Sequence, residues 1–272
     1  MNTQQTLSVG QLLRTWRQRR RLSQLELALE AAISPKHLSF VETGRATPSR
    51  DMVLHLAEQL AVPLREQNIL LTAAGYAPIF PEQPLDTPAF AMARQAIELV
   101  LRGHEPYPAL AVDRHWTLIA ANRAVPLLTT GVDPALLKPP VNVIRLSLHP
   151  AGLAPRIINY WPWRAHFLAR LRHQVELSAD PVLADLVHEV ACYAAPTAAG
   201  SATPPTAATA GAVAVPLQLR MAQAELAFIS TTTIFGTPID ITLAELAIES
   251  FFPANAATAT MMQHMLAQHE QG

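Results

Sequence analysis

The sequence predicts an α+β chain in two parts: an all-α N-terminal domain of five helices, then a mixed domain of helices and antiparallel strands. Three observations predict it. Apolar residues recur at helical spacing as far as Ala74, prolines at 78, 81, 84 and 88 mark a connector, and beyond Val213 runs rich in β-branched residues alternate as strands do. A length of 272 residues suits two domains better than one, and half of the residues are hydrophobic, enough for a second core.

Leu12, Leu13 and Trp16 mark the first helix. Leu22-Ser23 interrupts the pattern, and Ser23 followed at the capping-box distance by Glu26 starts a second helix near Gln24. Its expected apolar face is Leu25, Ala28 and Leu29. Ala31 to Ser34 form a turn in which Ser34 is the N-cap and Pro35 takes the first helical position, where its missing N–H costs nothing. The third helix, Pro35 to Glu42, turns Leu38 and Val41 inward, leaves Lys36, His37, Ser39 and Phe40 outward, and stops at Thr43-Gly44. Ser49 caps a fourth helix through Leu60, and Glu66 to Ala74 makes the fifth.

Helix, short turn and helix over residues 22 to 48 (LSQLELALEAAISPKHLSFVETGRATP) have the spacing of a helix-turn-helix, and its partner is double-stranded DNA. Residues 9 to 76 closely resemble the DNA-binding domain of the Cro and lambdoid repressor class, the XRE family. Ser-Gln before Glu-Leu-Ala, a hydrophobic pair in the third helix, and Glu-x-Gly-Arg-x-x-Pro-Ser all stand in register. The resemblance implies a lambda-repressor-like fold in which Gln24, the backbone around Thr43 and the side chain of Arg45 meet phosphates. It places Lys36, His37, Ser39 and Phe40 at base edges and makes Arg17 and Glu42 a structural ion pair. A phenylalanine at 40 cannot hydrogen-bond a base but can pack on a thymine methyl, which leaves hydrogen-bond readout mainly to Lys36. The competing reading folds Phe40 under the helix as core.

Charge is unevenly distributed. Residues 1 to 76 carry nine Lys/Arg against six Asp/Glu and the remainder eleven against fifteen, so the basic excess sits on the small domain. Arg14, Arg17, Arg19, Arg20 and Arg21 supply most of it, and beside this motif the run is expected to follow the phosphate backbone. No segment has eighteen uninterrupted apolar residues and no signal-peptide pattern opens the chain, which leads us to expect a soluble cytoplasmic protein with no membrane partner. One cysteine, Cys192, excludes an intramolecular disulfide or a cysteine metal cluster, and in the apolar pattern from Val187 to Tyr193 it reads as an inert core residue.

Residues 77 to 103 read as a helical connector, ending in a helix with Met92, Ile97, Val100 and Leu101. The second domain, 104 to 272, begins with short apolar runs from Ala109 to Val112 and Thr117 to Ala120, a hairpin around Asp113-Arg114-His115. Asn122 then caps a helix carrying Ala124, Val125 and Leu128. Val143 to Leu148 fits strand or short helix, whereas Pro155 to Glu176 and Pro181 to Tyr193 read as helices. The Ala/Thr/Pro/Gly tract from 194 to 212 has almost no bulky side chain and is expected to be a mobile loop. Val213 to Met221 and Leu226 to Phe235 are strands. Leu246 to Phe252 has a composition that fits a helix but ends as a strand would at Pro253, and Asn255 caps a last helix with Met261, Met262, Met265 and Leu266. This order of elements is that of a PAS-like sensor module.

Residues 104 to 265 resemble the C-terminal domain of the MmyB-like transcription regulators. The resemblance rests on Pro108 to Asn122 (PALAVDRHWTLIAAN), Asn142 to Pro150 (NVIRLSLHP), the surroundings of Asn159-Tyr160-Trp161, and Phe235 to Ala254 (FGTPIDITLAELAIESFFPA). It implies a PAS-like fold with a ligand pocket, a fatty acid or other long apolar molecule being the favoured class. The Ala/Thr/Pro tract and Asn255, where aspartate is expected, are departures. Among the residues themselves, Tyr160, Trp161, Trp163 and Phe167 gather aromatics on a helix that also carries Arg164 and Arg170. Such a mixture could line an apolar slot with a cation at its mouth, although an aromatic cluster on a helix is also the ordinary make-up of a core.

Three function classes follow. The first is a ligand-responsive regulator acting as a homodimer on a palindromic operator. The second is a regulator whose large domain only dimerises or grips another protein, without a ligand. The third is an enzyme, for which no Gly-rich phosphate loop, G-x-S-x-G elbow or H-E-x-x-H is present. No catalytic residue, metal or cofactor is expected beyond a bound fatty acid.

Overall fold

The computed structural model describes residues 7–196, 215–222, 224–236 and 238–270. Contacts within the chain divide it into a smaller unit, mainly the residues up to Gln83, and a larger one beginning at Pro84.

The smaller unit holds α1 (Val9–Arg19), α2 (Gln24–Glu30), α3 (Pro35–Glu42), α4 (Arg50–Gln59) and α5 (Leu64–Ala73). Ser8, Ser23, Ser34 and Ser49 each cap a helix by accepting from a first-turn N–H, and the first two form full capping boxes with Gln11 and Glu26. Leu13, Leu27, Leu38, Leu56, Leu60 and Leu71 are fully buried in one core. Each contributes roughly 1.5–3 kcal/mol relative to exposure. Packing is close enough to exclude a side chain at Gly10, where a Cβ would lie 2.2 Å from the Val41 carbonyl oxygen. One expectation is overturned in part: Leu25 and Leu29 are exposed, at 57% and 71%, whereas Ala28 is buried as expected, joined by Leu27 and, just past the helix, Ala31. Over seven residues the two faces are equally regular in sequence, and only contact with α1, α3 and α4 distinguishes them.

The larger unit runs through α6 (Ala91–Gly103), β1 (Ala109–Val112), β2 (Leu118–Ala121), α7 (Ala124–Leu128), α8 (Val143–Leu148), α9 (Tyr160–Ser178) and α10 (Pro181–Ala191). It continues with β3 (Leu217–Arg220), β4 (Glu225–Ile234), β5 (Ala247–Pro253) and α12 (Ala256–His269), while the single turn between β4 and β5, α11 (Ile241–Ala244), groups with the smaller unit. The strands form one antiparallel sheet in the order β2-β1-β5-β4-β3, so the unit is the PAS-like α+β fold. Strand alternation sends Ala109, Ala111 and Ile248 to one face, where Ile97 and Leu101 of α6 pack on them. It sends Val112, Leu217, Leu219 and Phe228 to the other face, where α8, α9, α10 and α12 supply the main core. Alanines on β1 let the α6 backbone come near.

Several expectations are refined. The helix read as the end of a connector, α6, is bound into this unit by its core contacts with β1. Asn122 is no simple cap: it is 5% exposed, its Oδ1 accepts from the N–H groups of Ala109 and Ala124, and its amide donates to the Leu101 and Tyr107 carbonyls. Residues 143–148 are helical, capped by Asn142. The helix expected from Pro155 begins at Tyr160, because Ala154–Arg156 forms a 3-10 turn and Ile157 bridges to Leu219. Cys192 is exposed at the C-terminal end of α10, not buried as read from its neighbours. Most of the 194–212 tract, from 197 onward, and the first two residues of the 213–221 strand lie outside the described residues.

Candidate DNA and ligand sites

On α3, Lys36 is exposed while His37, Ser39 and Phe40 are half-buried, and Leu38 and Val41 face the core. Phe40 thus sits between the two readings of its position. The Lys36 ammonium lies 5.7 Å from its ring centroid and the Arg45 guanidinium 6.0 Å, so the three side chains form one patch of an aromatic ring and two cations. Gln24 uses its amide to donate to Glu42 Oε2 at 2.7 Å. Around Thr43 the backbone N–H groups are already taken: Thr43 donates to Ser39, Gly44 to Val41 and Arg45 to Phe40, while the Thr43 hydroxyl donates to the Ser39 carbonyl.

Part of the arginine run is scaffold rather than a phosphate track. Arg17 is buried against Glu42. Arg20 donates at 2.7 Å to the carbonyls of Leu60 and Ala61, which end α4 and have no further helical partner, and burial pulls its pKa below the usual arginine value. Both Arg19 and Arg20 also lie over Trp16. Sequence showed the charge but not the carbonyls waiting for it.

In the larger unit a cavity of about 90 Å³ lies between the sheet and the helices. Its wall is almost wholly apolar, including Leu110, Trp116, Leu146 and Phe251 beside Trp163 and Phe167. Two of the expected ligand residues therefore reach it. Tyr160 is fully buried in the adjoining core but is not part of the wall, nor are Trp161, Arg164 and Arg170. Arg164 donates to the Val190 and Ala191 carbonyls at the end of α10 and lies 5.6 Å from the Trp161 ring. Arg170 lies 4.5 Å from the Trp116 ring and holds Glu249 by two hydrogen bonds. Both arginines are thus committed to partners within the fold.

Most of the wall was missed, and two of its residues stand out. Trp116 adopts φ +65°, a region that bulky side chains rarely occupy, and its indole N–H donates to Gln174. Glu249 is 3% exposed and, among the described residues, is the one ionisable side chain on the wall. An acid at an inward register of the apolar run from Leu246 to Phe252 was the available signal. His166, stacked on Trp163, has its pKa pushed below the ordinary histidine value by burial and then by Arg170, with Glu249 opposing. Among the described residues no group of His, Cys, Asp or Glu is arranged to hold a metal ion, and no helix is long and apolar enough to cross a membrane.

A helix-turn-helix with an exposed third helix, in one chain with a five-stranded unit around an apolar cavity, makes up a DNA-binding transcription regulator with a ligand-binding domain. Comparison with known proteins agrees. Residues 93–265 match the family model of the MmyB-like transcription regulator ligand binding domain, and residues 8–68 match a helix-turn-helix domain. The first match covers well over half of the chain, which belongs to the MmyB-like transcription regulators. Over 63 residues the chain is also 36% identical to Multiprotein-bridging factor 1 of Candida albicans, a stretch covering 23% of this chain and 42% of that relative. The chain therefore spans less than half the length of the curated relative it matches.

Proposed function

We propose that a homodimer of this chain reads a palindromic operator in the cytoplasm, and that an apolar ligand in the cavity, with a fatty acid as the favoured class, sets its DNA affinity. The observation that carries the reading is the cavity itself, enclosed by Leu110, Trp116, Leu146, Trp163, Phe167 and Phe251 in the same chain as the DNA-reading helix. One helix-turn-helix spans a short half-site, so two copies related by a twofold axis fit a palindrome. Lys36 donates to guanine, Phe40 packs on a thymine methyl, His37 and Ser39 tune the fit, and Arg45 takes a phosphate. Gln24 keeps one amide hydrogen for a phosphate while the other stays on Glu42. At Thr43 the engaged N–H and hydroxyl leave little to offer, so Arg45 carries that side of the contact.

Burying a chain of about a dozen methylenes is worth roughly 10 kcal/mol by transfer, before association and ordering reduce it. At about 90 Å³ the cavity holds several waters but not such a chain at full length. Loading must therefore part walls such as Leu118, Val125, Leu146 and Leu153. A ligand alters DNA affinity only by as much as it favours one arrangement over another, and this opening supplies the difference. Native mass spectrometry of the protein as purified, followed by operator titration before and after lipid removal, tests the reading. A bound lipid mass and a shifted operator affinity are expected. A clean apo mass with no lipid-induced melting shift would instead leave a unit that only dimerises or grips another protein.

A further inference from the structure

Glu249 projects from β5 into the main core, paired in register with Leu110 of β1 and Thr232 of β4. Its Oε1 accepts from Arg170 Nη2 at 2.6 Å and from the Thr232 hydroxyl at 2.9 Å, which fills both lone pairs. Its Oε2 accepts only from Arg170 Nη1, at 3.1 Å, and keeps one acceptor position. Glu249 belongs to the cavity wall and Arg170 does not. The other polar wall groups are Ser147, whose Oγ accepts from the Trp163 indole, and Thr129, whose hydroxyl donates to the Pro126 carbonyl.

We infer that the cavity takes the polar end of its ligand as a hydrogen-bond donor, a hydroxyl or a protonated carboxyl facing Glu249 Oε2, and discriminates against an ionised carboxylate at that end. The inference rests on the reading of the cavity as a site for an apolar ligand, and names the head group that site selects. An O–H donating to a carboxylate makes a short charge-assisted bond, whereas a second carboxylate there meets a like charge with no free donor to offset it except the Ser147 hydroxyl. The arginine that a fatty carboxylate would seek is already held by Glu249 and Thr232. A fatty acid is then bound as the neutral acid, and a chain-matched alcohol binds in its place.

The test uses delipidated full-length protein, with decan-1-ol and decanoic acid titrated from pH 5 to pH 8 and the fluorescence of Trp116 and Trp163, both on the wall, as readout. His166, on α9, senses both Arg170 and Glu249, and burial and then Arg170 hold its pKa below the ordinary histidine value. Alcohol affinity is expected to be flat with pH, while acid affinity falls by at least ~10-fold between pH 5 and pH 8, as the acid loses the proton it donates. Glu249→Gln, which brings an N–H donor to the same place, is expected to raise acid affinity at pH 8 relative to alcohol. Should that variant not fold, the pH series on the native protein stands alone. Equal acid affinity at both pH values, or acid bound more tightly than alcohol at pH 8, overturns the donor assignment. Failure of both ligands at every pH overturns the apolar-ligand reading itself, and this inference with it.

Discussion

Arg17 on α1 grips Glu42 on α3 through two hydrogen bonds, Nε to Oε1 at 2.6 Å and Nη2 to Oε2 at 2.8 Å, with side chains 9% and 1% exposed. Arg17 also donates to the Leu22 carbonyl, and Gln24 donates to the same carboxylate, so one buried pair ties α1, the start of α2 and the end of α3 together. The hydrogen bond to Glu42 is the main reason that the guanidinium pKa is raised.

Removing one partner strands the other charge in the core, so Glu42→Ala is expected to cost about 3–5 kcal/mol. Urea denaturation measures it as a lower midpoint at unchanged slope. A loss below about 1 kcal/mol would mean that the pair is not the scaffold of this unit.

Lys36→Ala is expected to flatten base preference at one operator position, at a cost of about 1–3 kcal/mol on the preferred sequence. Arg45→Ala should weaken all sequences alike and reduce the salt slope by about one counterion. Titration of a randomised operator library at two salt concentrations separates the two patterns.

Two backbone positions call for opposite changes. Gly10→Ala would improve helix propensity in isolation, yet a Cβ at 2.2 Å from the Val41 carbonyl oxygen forces α1 away from α3, at about 1–3 kcal/mol. Ala32 lies between α2 and α3 at φ +52°, so Ala32→Gly relieves strain and is expected to gain about 0.5–1 kcal/mol net of the added freedom of the unfolded chain. Melting temperatures of the two variants should move in opposite directions.

His166 gives the larger unit a pH dependence of definite sign. Its folded-state pKa is lowered, so the unfolded chain binds a proton first as pH falls below about 6.5, the ordinary histidine value. Stability from this group is complete above that value and is lost as pH falls toward the folded pKa. Urea midpoints between pH 8 and pH 5 should decline, and His166→Gln should flatten the decline.

Helices α2, α3 and α4 of the smaller unit were legible because their start signals are local: a serine and an N–H within the same turn. The buried face of α2 was not, since choosing Leu27 over Leu25 depends on neighbours far along the chain. In the larger unit β-branched alternation revealed β4, and the α9 aromatics Trp163 and Phe167 lie on the cavity wall. The employment of Arg20, Arg164 and Arg170 was invisible because their partners, the carbonyls ending α4 and α10 and the Glu249 carboxylate, come from segments distant in sequence. Cys192 was misplaced for a related reason: its apolar neighbours set a helical pattern that ends just where it stands.

The most direct measurement is the dissociation constant of full-length protein for a duplex selected from a random pool at low ionic strength, taken with the cavity emptied and with it loaded. Tight binding to a palindrome that weakens steeply with salt is expected, with a constant that differs between the two states. Absence of any selected duplex would contradict the DNA-reading helix, and the same constant in both states would contradict the coupling of cavity to operator.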